Sequence, residues 1–264
     1  MSDVIVEREA GIVTATLNRP ESRNALSDEM VRTLDEMFSA GERDPSVRVY
    51  VIRGAGEHFM AGGDVKKFYA NRSKPAEQRR ADTERHVHQL HLMVYKMRRA
   101  PQPIIASIRG AVAGFGVSLM MACDLAIAAD DAFFTLAYCH IGLSPDGSST
   151  WSLPRIVGAR KAAELAFLGE RFKADEALRL GLVNRVVPVA ALGAETAKLA
   201  ARLAAGPGRA YAHTKRLLDA SLGNTIESQL QMEGVAVADC MASNDLNEGV
   251  TAFVEKRPPR FTGT

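Results

Sequence analysis

Cysteine and tryptophan are both scarce in this 264-residue chain, which has three cysteines and one tryptophan. Cys123, Cys139 and Cys240 are odd in number and far apart in the sequence. Their number and spacing argue against a disulfide framework and against a cysteine-rich zinc site. We therefore expect no metal site, and we expect the protein to work in the reducing cytoplasm.

A strong charge of one sign and long hydrophobic runs are also missing. Lys and Arg total 33 against 31 Asp and Glu, a net charge of +2, so bulk electrostatics indicate neither a nucleic acid nor an anionic membrane as partner. The longest uncharged runs, residues 110–123 and 132–145, are too short to cross a bilayer as helices. The first ten residues carry acids and lack the pattern of a secretory signal.

What is present is a repeating pattern of strand, glycine loop and helix. Residues 4–9 and 12–17 predict a β-hairpin, and Ser27 begins a helix that ends near Gly41. Further strands are predicted at 47–52, 104–108 and 125–128, with a helix through 74–99. This order predicts an α/β fold with parallel strands and ligand contacts at their carboxyl ends.

The pattern changes to helices alone from about residue 190. We therefore divide the chain into a core with the ligand site, residues 1–190, and a helical region, residues 191–264. Apolar faces in the helical region have no strand layer of their own to cover, which favours association between subunits.

Two glycine segments, residues 59–64 and 110–116, each lead from a strand into a helix. Free backbone N–H groups at such helix starts can bind a negatively charged oxygen, and two that converge would form an oxyanion hole. The alternative is that the glycines only permit tight turns. The chain has no P-loop, no G-x-S-x-G elbow and no H-E-x-x-H motif, and a dinucleotide site is poorly supported.

These segments form part of an ordered set of motifs spread over nearly the whole chain. The set resembles the enoyl-CoA hydratase/isomerase (crotonase) superfamily. It comprises L-N-R-P at 17–20, N-A-L at 24–26, F-M-A-G-G-D at 59–64, P-I-I-A-S-I-R-G at 103–110, C-D at 123–124, G-L-S-P at 142–145, L-P-R at 153–155, G-L-V at 181–183 and E-G-V-T-A-F-V-E-K at 248–256.

The resemblance implies a crotonase-like spiral of ββα units with a C-terminal helical trimerisation region, and a homotrimer or a dimer of trimers. It also implies an acyl-CoA thioester as substrate, with coenzyme A as part of that substrate and no separate cofactor. The backbone N–H groups of Gly63 and Phe115 would be the oxyanion donors. The substrate- and coenzyme-binding residues that it implies are Arg23, Ala25, Ala61, Gly63, Asp64, Val65, Phe115, Phe253 and Lys256.

The acid and base residues decide the reaction. Hydratases of this family carry two glutamates at positions that hold Ser118 and Tyr138 here, and neither residue is a carboxylate base at neutral pH. A carboxylate follows at Asp146, in the Pro-Asp-Gly arrangement of the isomerase branch, where one acid moves a proton between the α and γ carbons of an enoyl-CoA. We therefore favour an enoyl-CoA isomerase. The alternative for Asp146 is a turn residue or N-cap.

Three further interpretations stay open. His91 and Asp146 match the catalytic histidine and the nucleophile of the 4-chlorobenzoyl-CoA dehalogenase branch, which makes a hydrolytic dehalogenase the second candidate. An enoyl-CoA hydratase with atypical acid and base residues, such as Tyr138, is another. Some relatives bind RNA through a lysine-bearing helix, but the basic stretch from Lys66 to Arg80 is interleaved with acids and lacks stacking aromatics.

Overall fold

The computed structural model describes residues 2–264. Its nine strands are β1 (Val4–Glu9), β2 (Ile12–Leu17), β3 (Val49–Gly54), β4 (Ile104–Ile108), β5 (Ala111–Ala113), β6 (Leu125–Ala129), β7 (Phe133–Thr135), β8 (Phe172–Lys173) and β9 (Arg185–Val187). The β1–β2 hairpin has the predicted bounds, because Ala10 and Gly11 both have positive φ and form the turn between the paired strands.

The helices within residues 2–264 are α1 (Asp28–Gly41), α2 (Val65–Asn71), α3 (Ala76–Arg99), α4 (Phe115–Ala122), α5 (Ser149–Val157), α6 (Ala159–Leu168), α7 (Ala174–Arg179), α8 (Leu192–Ala204), α9 (Gly208–Ser221), α10 (Ile226–Met241) and α11 (Asn244–Glu255). Ser27 caps α1 as expected, since its hydroxyl accepts from the Met30 amide. No helix in the described part of the chain is long and apolar enough to cross a membrane.

The main sheet has the order β1-β2-β3-β4-β6-β9 and is parallel from β2 onward, which confirms the predicted parallel packing. A smaller sheet has the order β5-β7-β8. The chain leaves β4 for β5 and α4, and then leaves β6 for β7 and α5. Each turn of the chain thus places one strand in each sheet before a helix, which is the crotonase-like spiral of ββα units.

Strand β3 is two residues later than the predicted 47–52. The Val47 amide donates to Asp44 O in a turn, so Val47 precedes the ladder, while Arg53 and Gly54 pair with Thr16 and Leu17 of β2. Tyr50 and Ile52 point into the principal core, and Val49 and Val51 pack on the opposite face. Both faces of the strand are buried, as expected for a parallel sheet.

Helix α8 covers the outer face of the main sheet. Its Ala200 packs with Val49, Val51 and Ile105, and its first residue, Leu192, packs with Ile127. The helical region predicted from residue 191 therefore begins with a helix that belongs to the packing of the core, and the boundary at 190 stays a prediction. Helices α9 to α11 extend the molecule beyond the sheet.

Candidate active site

The two glycine segments run side by side. The Met60 amide donates to Ala111 O at 3.1 Å, and the Ala113 amide donates to Met60 O at 2.9 Å, so Met60 bridges to β5. Gly116 makes this approach possible, because a Cβ there would lie 2.4 Å from Met60 O. The absence of a side chain at Gly116 thus lets the segments 59–64 and 110–116 lie against each other.

The backbone amides of Gly63 and Phe115 lie where these segments meet. A Cβ on Gly114 would stand 3.6 Å from the Cα of Gly62, so the two segments are in contact one residue before each amide. Phe115 is the first residue of α4, and within residues 2–264 neither amide has a hydrogen-bond acceptor. Both amides are therefore free to donate to a ligand, which an oxyanion hole requires.

Both amides open into a cleft of about 2030 Å³. Helices α2 and α3 and the segment before α5 form its walls. Predicted site residues on this wall are Ala61, Gly63, Asp64, Val65, His91, Phe115, Tyr138 and Asp146. A volume of this size accommodates a ligand much larger than a single metabolite ring.

Asp146 is half-buried in this cleft, and its carboxylate is held by a hydroxyl. Tyr138 Oη donates to Asp146 Oδ1 at 2.6 Å. The main-chain oxygen of Asp146 accepts from Ser118 Oγ at 2.9 Å and from Ser149 Oγ at 2.8 Å. Ser148, the N-cap residue of α5, is left-handed and makes no side-chain cap. The turn is thus built from main-chain contacts of Asp146, which leave its carboxylate to the cleft.

Gly147 connects this acid to the oxyanion amides. It has a φ of +60°, and a Cβ on it would lie 2.5 Å from Cε2 of Phe115. The Phe115 side chain is buried and packs on the turn, and Phe115 also lines the cleft. A ligand oxygen at the amides would therefore lie in the same part of the cleft as the Asp146 turn.

The two positions of the hydratase glutamates carry hydroxyls that contact each other. Ser118 Oγ and Tyr138 Oη are 3.3 Å apart, and both side chains are buried. Burial, and then the neighbouring Asp146 carboxylate, raises the pKa of Tyr138 well above its usual range. Tyr138 therefore keeps its proton and acts as a donor toward Asp146.

His91 lies on α3 and faces the same turn. Its Nε2 accepts the Gly147 amide at 3.2 Å, so this ring nitrogen is an acceptor toward the backbone. His91 thus lies beside the turn that holds Asp146, and the imidazole nitrogen that faces this turn is engaged by the main chain.

Asp64 anchors the first glycine segment. Its Oδ1 accepts from the Lys66 and Lys67 amides and caps α2, and its Oδ2 accepts from Arg19 at 3.2 Å. Burial opposes ionisation, but the Arg19 and backbone hydrogen bonds outweigh it and lower the pKa of Asp64. Asp64 is therefore ionised, and both of its carboxylate oxygens accept hydrogen bonds within the protein.

The remaining predicted binding residues lie at different distances from the cleft. Arg23 and Ala25 stand in the turn beside it, where Arg23 O accepts from the Ala61 amide. Phe253 and Lys256 lie on and just after α11, outside the cleft wall, and Phe253 is almost fully exposed. A role for them at the coenzyme of their own or a neighbouring subunit stays a prediction.

The sequence analysis did not identify the aromatic and charged side chains that line the cleft next to His91. Tyr95 and Arg98 follow His91 on α3 at helical spacing and also line the cleft. The Arg98 guanidinium pairs with Asp219 of α9 and lies 5.2 Å from the centre of the Trp151 ring. The spacing on α3 is a signal available in the sequence, whereas its partners on α5 and α9 follow only from the fold.

Acids pair with three of the six basic side chains between Lys66 and Arg80, at the mouth of the cleft. Lys67 pairs with Asp28 at 2.6 Å, Lys74 with Asp82 at 3.1 Å, and Arg80 with Glu84 at 3.0 Å. Arg72 stacks on Tyr69. The acids interleaved in this surface reduce the net positive charge that it offers to a polyanion, which argues against RNA binding.

The fold and the paired amides define an enzyme of the acyl-CoA class. Residues 7–264 match the model of the enoyl-CoA hydratase/isomerase family, and the chain belongs to this family.

Some similar proteins are named isomerases and others are named hydratases. The chain is 35% identical to the 1,2-epoxyphenylacetyl-CoA isomerase of Escherichia coli, over 100% of this chain and 99% of the relative. It is 37% identical to a probable enoyl-CoA hydratase of Rhodobacter capsulatus, over 96% and 95%. The crystal structure of an enoyl-CoA hydratase from Polaromonas sp. JS666 superposes with a TM-score of 0.92 at 36% identity, covering 98% of this chain and 99% of that one.

Proposed function

We propose that this protein is an acyl-CoA isomerase, in which Asp146 moves a proton on a thioester held by the amides of Gly63 and Phe115. The two N–H groups would stabilise the negative charge that develops on the thioester oxygen when a neighbouring C–H bond breaks. Asp146 would take that proton and return it to another carbon of the same acyl group, so the product has the mass of the substrate.

The observation that carries this proposal is which of the carboxylates in the cleft form ion pairs with basic side chains and which one does not. Five others line it, and each is ion-paired with a basic side chain: Asp28, Asp64, Asp82, Glu84 and Asp219. Within residues 2–264, Asp146 alone among the cleft carboxylates has no cationic partner, and its one side-chain donor is the Tyr138 hydroxyl. A carboxylate that no cation holds is the one free to gain and lose a proton.

Hydration is less well supported. It needs a base to activate water, and the two positions of the hydratase glutamates hold the hydroxyls of Ser118 and Tyr138, which donate their protons to Asp146. Dehalogenation needs His91 to activate a water against an ester on Asp146, and the His91 nitrogen facing this turn already accepts the Gly147 amide. The relative named as an epoxyphenylacetyl-CoA isomerase adds support for an isomerase.

A panel of acyl-CoA thioesters tests the proposal. The panel contains linear 3-enoyl, aryl-epoxide and 4-halobenzoyl thioesters, and liquid chromatography with mass spectrometry reads the products. We expect a product of unchanged mass and new retention time from at least one of the unsaturated thioesters. A main product heavier by one water, or one that has lost halide, would contradict it.

A further inference from the structure

The Tyr138 hydroxyl touches the reactive group of Asp146 directly. It donates to Oδ1 at 2.6 Å, a short distance typical of a hydrogen bond to a charged oxygen. The phenol is buried, and a short 3-10 helix, Tyr138–Ile141, holds it after Ala137, which has a φ of 42°. Burial and this backbone turn hold the phenol against the Asp146 carboxylate.

The neighbouring Ser118 hydroxyl has a different target. It is fully buried on α4 and donates to the main-chain oxygen of Asp146, where Ser149 donates as well. Ser118 thus stabilises the turn, while Tyr138 acts on the carboxylate. Two hydroxyls of one network can therefore be removed separately, with different expected consequences.

We propose that Tyr138 is a positioning residue for the isomerase reaction, which fixes the orientation of the Asp146 carboxylate and stabilises its charged form. This inference rests on the proposed function, in which Asp146 carries the proton. A hydrogen bond donated to a carboxylate favours its ionised form over the acid, and the ionised form is the one that accepts a proton. It also leaves Oδ2 as the oxygen that can face the substrate.

Few titratable groups other than Asp146 and Tyr138 face the turn that holds Asp146 within residues 2–264. From α3, His91 faces the Gly147 amide, and from the same helix Arg98 is paired with Asp219. The elements α4 and α5 contribute the hydroxyls of Ser118 and Ser149. His140 of the 3-10 helix is directed to Gly169 O. His91 is therefore the competing source of a pH effect that an experiment must remove.

The test is the pH profile of kcat/KM for Tyr138→Phe on the best thioester of the panel. On the acid side of this profile, kcat/KM falls as the pH decreases, and we call this part the acid limb. Loss of the donor should move the acid limb to higher pH by about one unit, which corresponds to the usual free energy of one hydrogen bond to a charged group. The plateau kcat should fall about tenfold and KM should change less than about threefold, because orientation and not binding is lost.

Two matched variants isolate the effect. Ser118→Ala removes a buried hydroxyl of the same network that does not touch the carboxylate, so its acid limb should stay within about 0.3 units of the wild type. The Tyr138→Phe shift should persist in a His91→Gln background, since the amide oxygen of glutamine still accepts the Gly147 N–H and does not titrate. A shift that disappears with His91 would overturn the proposal.

A second measurement is informative even if the Tyr138→Phe variant does not fold. 3-Fluorotyrosine placed at 138 is nearly the same size and a stronger donor, so it should move the acid limb to lower pH. The rate at which the α-proton of the bound acyl group exchanges in D₂O gives a readout besides net turnover.

The outcomes separate the two proposals. If Asp146→Asn abolishes exchange but neither Tyr138 variant moves the limb, the positioning role is wrong and the proposed function stands. If Asp146→Asn exchanges the proton at the wild-type rate, the proposed function itself is wrong.

Discussion

At the scale of single residues, Asp146 is distinguished by the partner it lacks. Replacing it with asparagine keeps its size and its main-chain contacts but removes the proton-accepting charge. We expect turnover to fall by about 10²–10⁴ while folding and thioester affinity persist. The matched control is Asp82→Asn, which removes a cleft carboxylate that is paired with Lys74. Steady-state kinetics of both variants should show a large loss in the first and less than about a threefold change in the second.

Gly147 allows a second residue-scale prediction. An alanine there would bring its Cβ to 2.5 Å from Phe115 Cε2, so the ring next to the oxyanion amide must move. We expect Gly147→Ala to lose about 1–3 kcal/mol of stability and to lower kcat at least tenfold.

Gly142→Ala is the matched control for this steric argument. Gly142 has a similar φ of +71°, but a Cβ on it meets nothing within 4 Å. The control therefore carries the cost of a left-handed alanine without the clash. Thermal unfolding and kcat that change equally in the two variants would contradict the steric account.

At the scale of elements, Asp64 joins α2 to the turn that holds Arg19. Asparagine at this position can still cap the helix but cannot form the ion pair, so Asp64→Asn should cost about 1 kcal/mol at neutral pH. Hydrogen bonds in the folded state lower the pKa of Asp64 from 3.8, so its charge stabilises the fold above that value. The contribution should disappear as the pH falls through the lowered folded pKa.

Urea unfolding of wild type and Asp64→Asn at several pH values measures this difference. The two unfolding free energies should converge as the pH falls below 3.8. A difference that is constant down to strongly acidic pH would show that the carboxylate charge is not its source.

The elements also show what the sequence can predict. The β1–β2 hairpin, α1 and β4 were predicted closely, because their signals are local: a turn, a capping serine, a run of β-branched residues. The small sheet was missed, since its strands have two or three residues and are defined by partners far along the chain. The motifs identified Asp146, but the contact from Tyr138 depends on how a 3-10 helix and a turn are packed together.

At the scale of the whole molecule, α9 is fixed to the core by an ion pair whose side chains are 11% and 24% exposed. Lys215 Nζ lies 2.8 Å from Asp124 Oδ2 at the start of β6, and it also donates to Met97 O at 3.0 Å. Together with the Arg98–Asp219 pair, this contact joins α9 to the wall of the cleft. The helices beyond the sheet are therefore held in a defined place relative to the active site.

Helix α10 presents an apolar face that this single chain leaves uncovered. Ile226, Leu230, Val237 and Met241 recur at helical spacing, and each is more than half exposed. Faces of this kind on soluble proteins mark sites of association. We therefore expect the homotrimer or dimer of trimers that the family resemblance implies.

Adjacent substitutions on α10 test whether this face holds subunits together. Leu230→Glu places a charge on the apolar face, whereas Gln231→Glu places the same charge on the next residue, which points elsewhere around the helix. Light scattering of the wild type at micromolar concentration should give the mass of a trimer or hexamer, and Leu230→Glu should shift it toward 28.5 kDa while Gln231→Glu does not. Burying an unpaired carboxylate in each interface costs several kcal/mol, enough to dissociate an assembly of ordinary affinity. A wild-type protein that is a stable monomer would show that this face does not mediate association.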